Sequence, residues 1–302
     1  FAVIAIDAPL HGITRTASPL YGSLGSTERT FNIDLINNTT GAPGPDGVID
    51  PSGTWFINLP SLLTSRDNNR QAVADLIQLA RAIPTARYTT SGGVNFDGAR
   101  IGFVGQSLGG ILGTVFMGVN PTVQTALLNV PGGGIANLLE GSPTFGPRIR
   151  AGLAGLGLTP GTADYAAFFV AAQTVIDSSD PINWALAGNN TLNASKNLLI
   201  QEVVGGGDVL PDQVIPNTVP GAPLSGTEPL IRILGLSSIT ESTQSPTGIR
   251  GAVRFTQGDH GSLLSPAASP GATVEMQGEM VSLQKSGGAA VQISNPSVIQ
   301  TQ

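Results

Sequence analysis

The chain has 302 residues, 40% of them hydrophobic and only 11% charged, which suits one large domain with a substantial core or two small ones. A net charge of −6 without any cluster of Lys and Arg speaks against a nucleic-acid partner. The absence of cysteine excludes a disulfide scaffold, a thiolate nucleophile and a cysteine-based zinc site, and no apolar run is long enough to span a bilayer.

Residues 1–6 are an apolar run that ends at Asp7-Ala8-Pro9-Leu10-His11-Gly12, which reads as a buried strand and its exit loop. Residues 13–63, rich in Asn, Thr, Gly and Pro, read as a long irregular excursion. Within it, Asp46 and Asp50 flank a glycine and faintly resemble a calcium loop, but the ligand pattern is incomplete and a solvated turn fits better. A helix follows, with Ser65 or Asp67 as its cap and Val73, Leu76, Ile77, Ala80 and Ile83 at helical spacing. Residues 100–105 read as a strand, 109–119 as a buried Gly-rich helix, and 123–130 as another strand closed by Pro131-Gly132-Gly133-Gly134. Residues 135–190 form a separate helical unit whose Tyr165, Phe168, Phe169 and Trp184 either line a substrate mouth or pack its core. Strands at 197–204 and 250–256, a helix at 274–283 and a peripheral tail complete the chain. Strands alternating with helices imply parallel crossovers and a sheet covered on both faces, with reactive groups at the carboxyl ends of the strands.

The chemistry gathers at those strand ends. Gly105-Gln106-Ser107-Leu108-Gly109 matches G-x-S-x-G, and it stands in the strand–turn–helix setting that a nucleophile elbow requires. Small residues at 105 and 109 let the turn close and expose the Ser107 hydroxyl. A serine hydroxyl needs a base, and the chain offers only two histidines, His11 and His260. His260 follows a strand and comes after Ser107, as the order Ser, acid, His of α/β-hydrolases demands; His11 reads as a structural loop residue. Asp208 and Asp212 compete for the acid, both after the strand at 197–204. Asp212 is preferred because Asp212-Gln213-Val214-Ile215-Pro216 repeats a run common at this place in hydrolases of this fold. Asp259, adjacent to the base, is expected to point elsewhere. The N–H of Leu108 supplies one oxyanion donor; the other belongs to a loop upstream of residue 1, outside this sequence.

Six segments together carry a more specific resemblance: Asp7-Ala8-Pro9-Leu10-His11-Gly12, Phe56-Ile57-Asn58-Leu59, Thr64-Ser65-Arg66-Asp67-Asn68, Gly105 to Gly110, Asp180-Pro181-Ile182-Asn183 and Pro211 to Asn217. From residue 1 to about residue 296 the chain resembles the bacterial extracellular virulence-factor lipase family. The resemblance implies a secreted or surface-attached carboxylic ester hydrolase acting on lipid, polymer or small acyl esters, with a preceding segment that completes the first strands.

The expected architecture is therefore an α/β-hydrolase fold, a mostly parallel sheet flanked by helices, with its first strands outside the sequence. Residues 1–134 and 191–302 form the core and 135–190 a helical cap insertion. Ser107, Asp212 and His260 are the expected triad, with no metal and no organic cofactor. Two other readings keep part of this: an acyltransferase or thioesterase with the same triad, and a degenerate hydrolase fold kept as a binding module.

Overall fold

The computed structural model describes residues 1–24, 28–86, 96–186, 192 and 196–301. The chain packs as two compact units, Phe1–Asp75 and Leu76–Gln302. The first contains α1 (Tyr21–Leu24) and most of α2 (Leu62–Ala82), which runs across the division. Residues 1–6 are not a strand: they are irregular, and Phe1 and Val3 are about nine-tenths exposed. An apolar run becomes a strand only where a neighbour satisfies its N–H and C=O groups, and no described residue pairs with these. Helix α2 opens at Leu62, ahead of the expected caps, because Ser65 turns back on Asn58: the Asn58 N–H donates to Ser65 Oγ (2.7 Å) and Ser65 Oγ donates to the Asn58 carbonyl (3.1 Å).

The loop expected as a solvated turn is tied inward. Asp50 is 2% exposed and accepts from the Leu35 and Ile36 N–H groups and from Trp55 Nε1. Burial opposes its charge, but these bonds outweigh that cost and hold the carboxyl below its usual value. Asp46 accepts from the N–H groups of Asn38 and Val48. The carboxylates thus serve backbone donors, and no described cluster of three or more His, Cys, Asp or Glu is placed to hold a metal ion.

The second unit is built on a five-stranded parallel sheet in the order β1-β2-β3-β6-β4. The strands are β1 (Gly102–Gln106), β2 (Thr125–Asn129), β3 (Asn197–Val203), β4 (Ser237–Ser238) and β6 (Arg250–Phe255). Helix α3 (Leu108–Val119) crosses from β1 to β2; α4 (Ile135–Gly141), α5 (Gly146–Ala154), α6 (Ala163–Ile176) and α7 (Pro181–Leu186) lie between β2 and β3. The helical unit was expected to end at 190, which lies outside the described residues. Helix α8 (Thr227–Ile233) precedes β4, α9 (Pro270–Lys285) follows β6, and β5 (Thr243–Gln244) pairs with β7 (Ala290–Val291) as a small antiparallel ribbon.

Side chains on the central strands alternate between two buried faces. Leu127, Leu199, Val203, Val253 and Phe255 pack against Ala272, Met276 and Leu283 of α9. Ala126, Leu128, Leu198 and Ile200, also fully buried, face the other way, toward the layer that holds α3. Strands buried on both faces read as continuous apolar runs, which is what residues 126–128 and 198–200 are. Helix α9 starts earlier than its apolar spacing suggests, with Ser269 capping it through Ala272 N–H and Pro270 in its first turn. The tail is not peripheral. Val298 and Ile299 are buried in the α9-side core, and residues 298–300 run along β6, where Thr256 N–H donates to Val298 O (2.9 Å) and Gln300 N–H to Arg254 O (2.8 Å).

Candidate active site

At the carboxyl end of β1 the chain turns sharply into α3. Ser107, the turn residue, has φ 55° and ψ −120°, a backbone conformation that costs a residue with a side chain about 1–3 kcal/mol. The turn is over-determined. Ser107 N–H donates to Asn129 O at the end of β2 (2.9 Å), and Ser107 O accepts from the N–H groups of Gly110 and Ile111. A Cβ on Gly105 would lie 2.2 Å from the carbonyl oxygen of Gly109, so the elbow needs glycine there. A Cβ on Gly109 would meet nothing within 4 Å, so of the two small residues flanking the elbow only the one at 105 is held to glycine by space. Gly110 is the second tight position, its missing Cβ 3.0 Å from the Pro131 ring and 3.2 Å from Asn129 O.

The hydroxyl so presented meets His260. Ser107 Oγ lies 2.7 Å from His260 Nε2, and His260 Nδ1 lies 2.7 Å from Asp212 Oδ2. Because a carboxylate only accepts, Nδ1 carries the proton toward Asp212 and leaves Nε2 as the acceptor for the Ser107 hydroxyl. The three residues come from the loops after β1, β3 and β6, three strands that end on the same edge of a parallel sheet.

Each partner is held by its own loop. Asp212 is buried; its N–H donates to Val203 O (3.0 Å), and its Oδ1 accepts from Val214 N–H (2.7 Å) and Ile215 N–H (3.0 Å), which leaves Oδ2 for His260. The competing Asp208 is exposed in the turn from Gly206 to Val209, and His260 Nδ1 is turned to Asp212. Asp259 points away from the site, as expected, and closes the histidine turn by accepting from Gly261 N–H and Ser262 Oγ. Gln106 is a residue the motif reading overlooked: its Nε2 donates to the His260 backbone carbonyl (2.8 Å), joining the elbow to the histidine loop. In the motif it occupies a variable position, so pattern alone gave no signal for it.

Leu108 opens α3, and its N–H belongs to the first helical turn, whose donors have no acceptor within the helix. His11, in the first unit, is occupied structurally, with Nδ1 2.9 Å from Pro9 O and its ring edge-on to Phe56. The aromatics of 135–190 pack among themselves and on α3. Tyr165 and Phe168 both touch Phe169, Tyr165 Oη donates to Glu140 (3.1 Å), and the Trp184 ring lies against Gly118. Asp180, fully buried, anchors the start of α4: it accepts from the N–H groups of Gly134, Ile135 and Ile182 and from Gln173 Nε2.

A parallel sheet flanked by helices, a strained serine at a strand–turn–helix elbow and the chain order Ser, acid, His are together consistent with the α/β-hydrolase fold. No protein-family model matches the chain, and no curated protein matches it. Among solved structures it is similar to a mutant puromycin hydrolase crystallised in complex with PGG, with a TM-score of 0.42 and 14% identity over 74% of this chain. The match spans 27% of the length of that chain.

Proposed function

We propose that the chain is a serine carboxylester hydrolase that works through an acyl-enzyme. The observation that carries the reading is the continuous hydrogen-bonded line from Ser107 Oγ through both ring nitrogens of His260 to Asp212. Ser107 Oγ attacks the acyl carbon while its proton passes to His260 Nε2. The positive charge that forms on the imidazole lies against the buried Asp212 carboxylate, which also fixes the tautomer. In this reading the N–H of Leu108, at the start of α3, donates to the negative charge that develops on the acyl oxygen. Collapse expels the alcohol with the proton from Nε2. Water then loses its proton to Nε2, attacks the acyl carbon, and releases the acid and the free Ser107 hydroxyl.

The preference for esters rests on the resemblance to extracellular virulence-factor lipases, together with where its segments fall. Gly105 to Gly110 form the elbow, Pro211 to Asn217 carry the acid, and Asp180 anchors the turn after β2. In this reading the apolar helices α4–α7 act as a cap for acyl chains or an apolar polymer segment, and the protein works outside the bacterial cell or on its surface. The test is hydrolysis of p-nitrophenyl esters from short to long acyl chains by the wild type and Ser107→Ala. Turnover that disappears in the variant supports the reading, and the chain-length optimum separates esterase from lipase. A folded wild type that cleaves none of them, or a Ser107→Ala variant that cleaves them as well, would sink it.

A further inference from the structure

Three neighbouring strands carry an amide side chain at one level near the carboxyl edge of the sheet. Gln106 of β1, Asn129 of β2 and Gln201 of β3 stand in a single register row. Two residues earlier, on the same face, the row is apolar: Val104, Leu127 and Leu199. Asn129 and Gln201 are fully buried, and a buried amide is tolerated only when it is hydrogen-bonded. Asn129 Nδ2 donates to Gln201 Oε1 at 3.0 Å. Gln201 Nε2 donates to Met276 O at 3.0 Å and to Glu279 Oε2 at 2.7 Å, both on α9. Gln106, at the β1 end of the row and half-buried, reaches elsewhere: its Nε2 donates to the His260 carbonyl at 2.8 Å.

That bond completes a cradle for the histidine loop. From the α9 side, Gln277 Nε2 donates to Leu263 O and Thr273 Oγ1 to Ser265 O, each at 2.9 Å. Within the loop, Asp259 N–H donates to Ser262 Oγ at 2.8 Å and Asp259 Oδ1 accepts from Gly261 N–H at 2.9 Å. These ties seat the loop on the helix, and the Gln106 bond seats it against β1. Gln106 also immediately precedes Ser107, so one stretch of backbone both presents the nucleophile and holds the base. A shift of the His260 peptide would move its Nε2 relative to Ser107 Oγ. Reaction geometry is steep in distance, a misplacement of about 1 Å costing on the order of a hundredfold.

We infer that Gln106 is a positioning residue: by donating from Nε2 to the His260 carbonyl, it sets His260 Nε2 at proton-transfer distance from Ser107 Oγ, 2.7 Å. This rests on Ser107 and His260 being the nucleophile and base of the proposed hydrolase. Gln106 itself moves no proton. Its effect falls on the two steps in which His260 takes one, acylation and deacylation, and not on ester binding.

The test compares the wild type, Gln106→Met and Gln106→His, each first checked for folding by circular dichroism. Methionine keeps the length and volume of glutamine without a donor; histidine presents a ring N–H at nearly the same reach. On a short p-nitrophenyl ester Gln106→Met should lose kcat roughly tenfold with KM within about twofold, and fluorophosphonate labelling of Ser107 should slow by a like factor. Gln106→His should recover most of both rates. In a His260→Ala background, with no base left to place, Gln106→Met should slow the residual labelling no further. A Gln106→Met variant as fast as the wild type, one that raises KM at unchanged kcat, or equal losses in Gln106→Met and Gln106→His overturn the role. Should Gln106→Met not fold, Gln106→Glu at pH 8, an acceptor of the same length, replaces it and is read the same way. A wild type that neither hydrolyses the ester nor labels would instead remove the hydrolase reading itself.

Discussion

The choice between Asp208 and Asp212 turns on a few atoms. Both follow β3, but the chain reverses between them: Gly206 and Val209 bridge to each other and push Asp208 outward, while Asp212 folds back on Val203. Asp212 Oδ1 is consumed by two backbone donors, and that fixes the direction of Oδ2 toward His260. Replacing Asp212 by Asn or Ala should therefore lower kcat on a p-nitrophenyl ester by roughly 10³–10⁴-fold, as loss of the tautomer-fixing acid does elsewhere. Asp208→Asn should stay within about twofold, since an exposed turn residue carries no part of the line. Steady-state kinetics of the two variants decide the assignment; a reversed pattern would remove Asp212 from the triad. Ser107, His260 and the pair of acid candidates were legible in the sequence because motif, chain order and the scarcity of histidine all constrain them. Gln106 was not, since its role arises from a contact with the His260 loop, distant along the chain.

At the level of elements, the strand–turn–helix around Ser107 is held tightly by its backbone. The backbone of Gly109 approaches Gly105 so closely that a methyl group on Gly105 would sit 2.2 Å from a carbonyl oxygen. At Gly109 the same methyl group has open space, and alanine there would favour the helix that follows. Gly105→Ala should thus lower the thermal midpoint and abolish ester turnover, whereas Gly109→Ala should fold at least as stably as the wild type. Thermal unfolding of the two proteins measures this directly, and equal destabilisation would contradict it. Strands β2, β3 and β6 were readable as apolar runs because they are covered on both faces, whereas β1, with Val104 exposed, was placed by the motif that follows it. Two kinds of element were misread. Residues 1–6 have the composition of a strand but no pairing neighbour among the described residues, and the tail, read as peripheral, pairs along β6 at 298–300 through its backbone. Pairing depends on what lies alongside, which a run of residue types does not carry. The two-residue strand β4 and the β5–β7 ribbon are too short to show any periodicity.

For the molecule as a whole, buried carboxylic acids set the dependence of stability on pH. Glu202 is raised to about 9 by burial and Glu228, and Glu279, buried under the sheet beside Gln201, is raised well above its usual value by burial. In such a case the folded state keeps a proton that the unfolded chain releases near 4.5, so the stability from these groups is full below that value and falls as pH rises toward the folded values. Lys196, lowered to about 8 by burial, works in the opposite sense, but only above that pH. The thermal midpoint should accordingly decline between pH 5 and 8, and Glu202→Gln should flatten the decline; a midpoint that rises across this range in the wild type would contradict the assignment. That the sheet is parallel followed from the alternation of strands and helices, whereas the compact division after Asp75 was not foreseen. Whether Ser107 is an activated nucleophile is read most directly by mass-mapped labelling with a fluorophosphonate. One adduct is expected, on Ser107, formed at least a hundredfold more slowly in His260→Ala and absent in Ser107→Ala. Labelling spread over several serines, or unaffected by loss of His260, would contradict it.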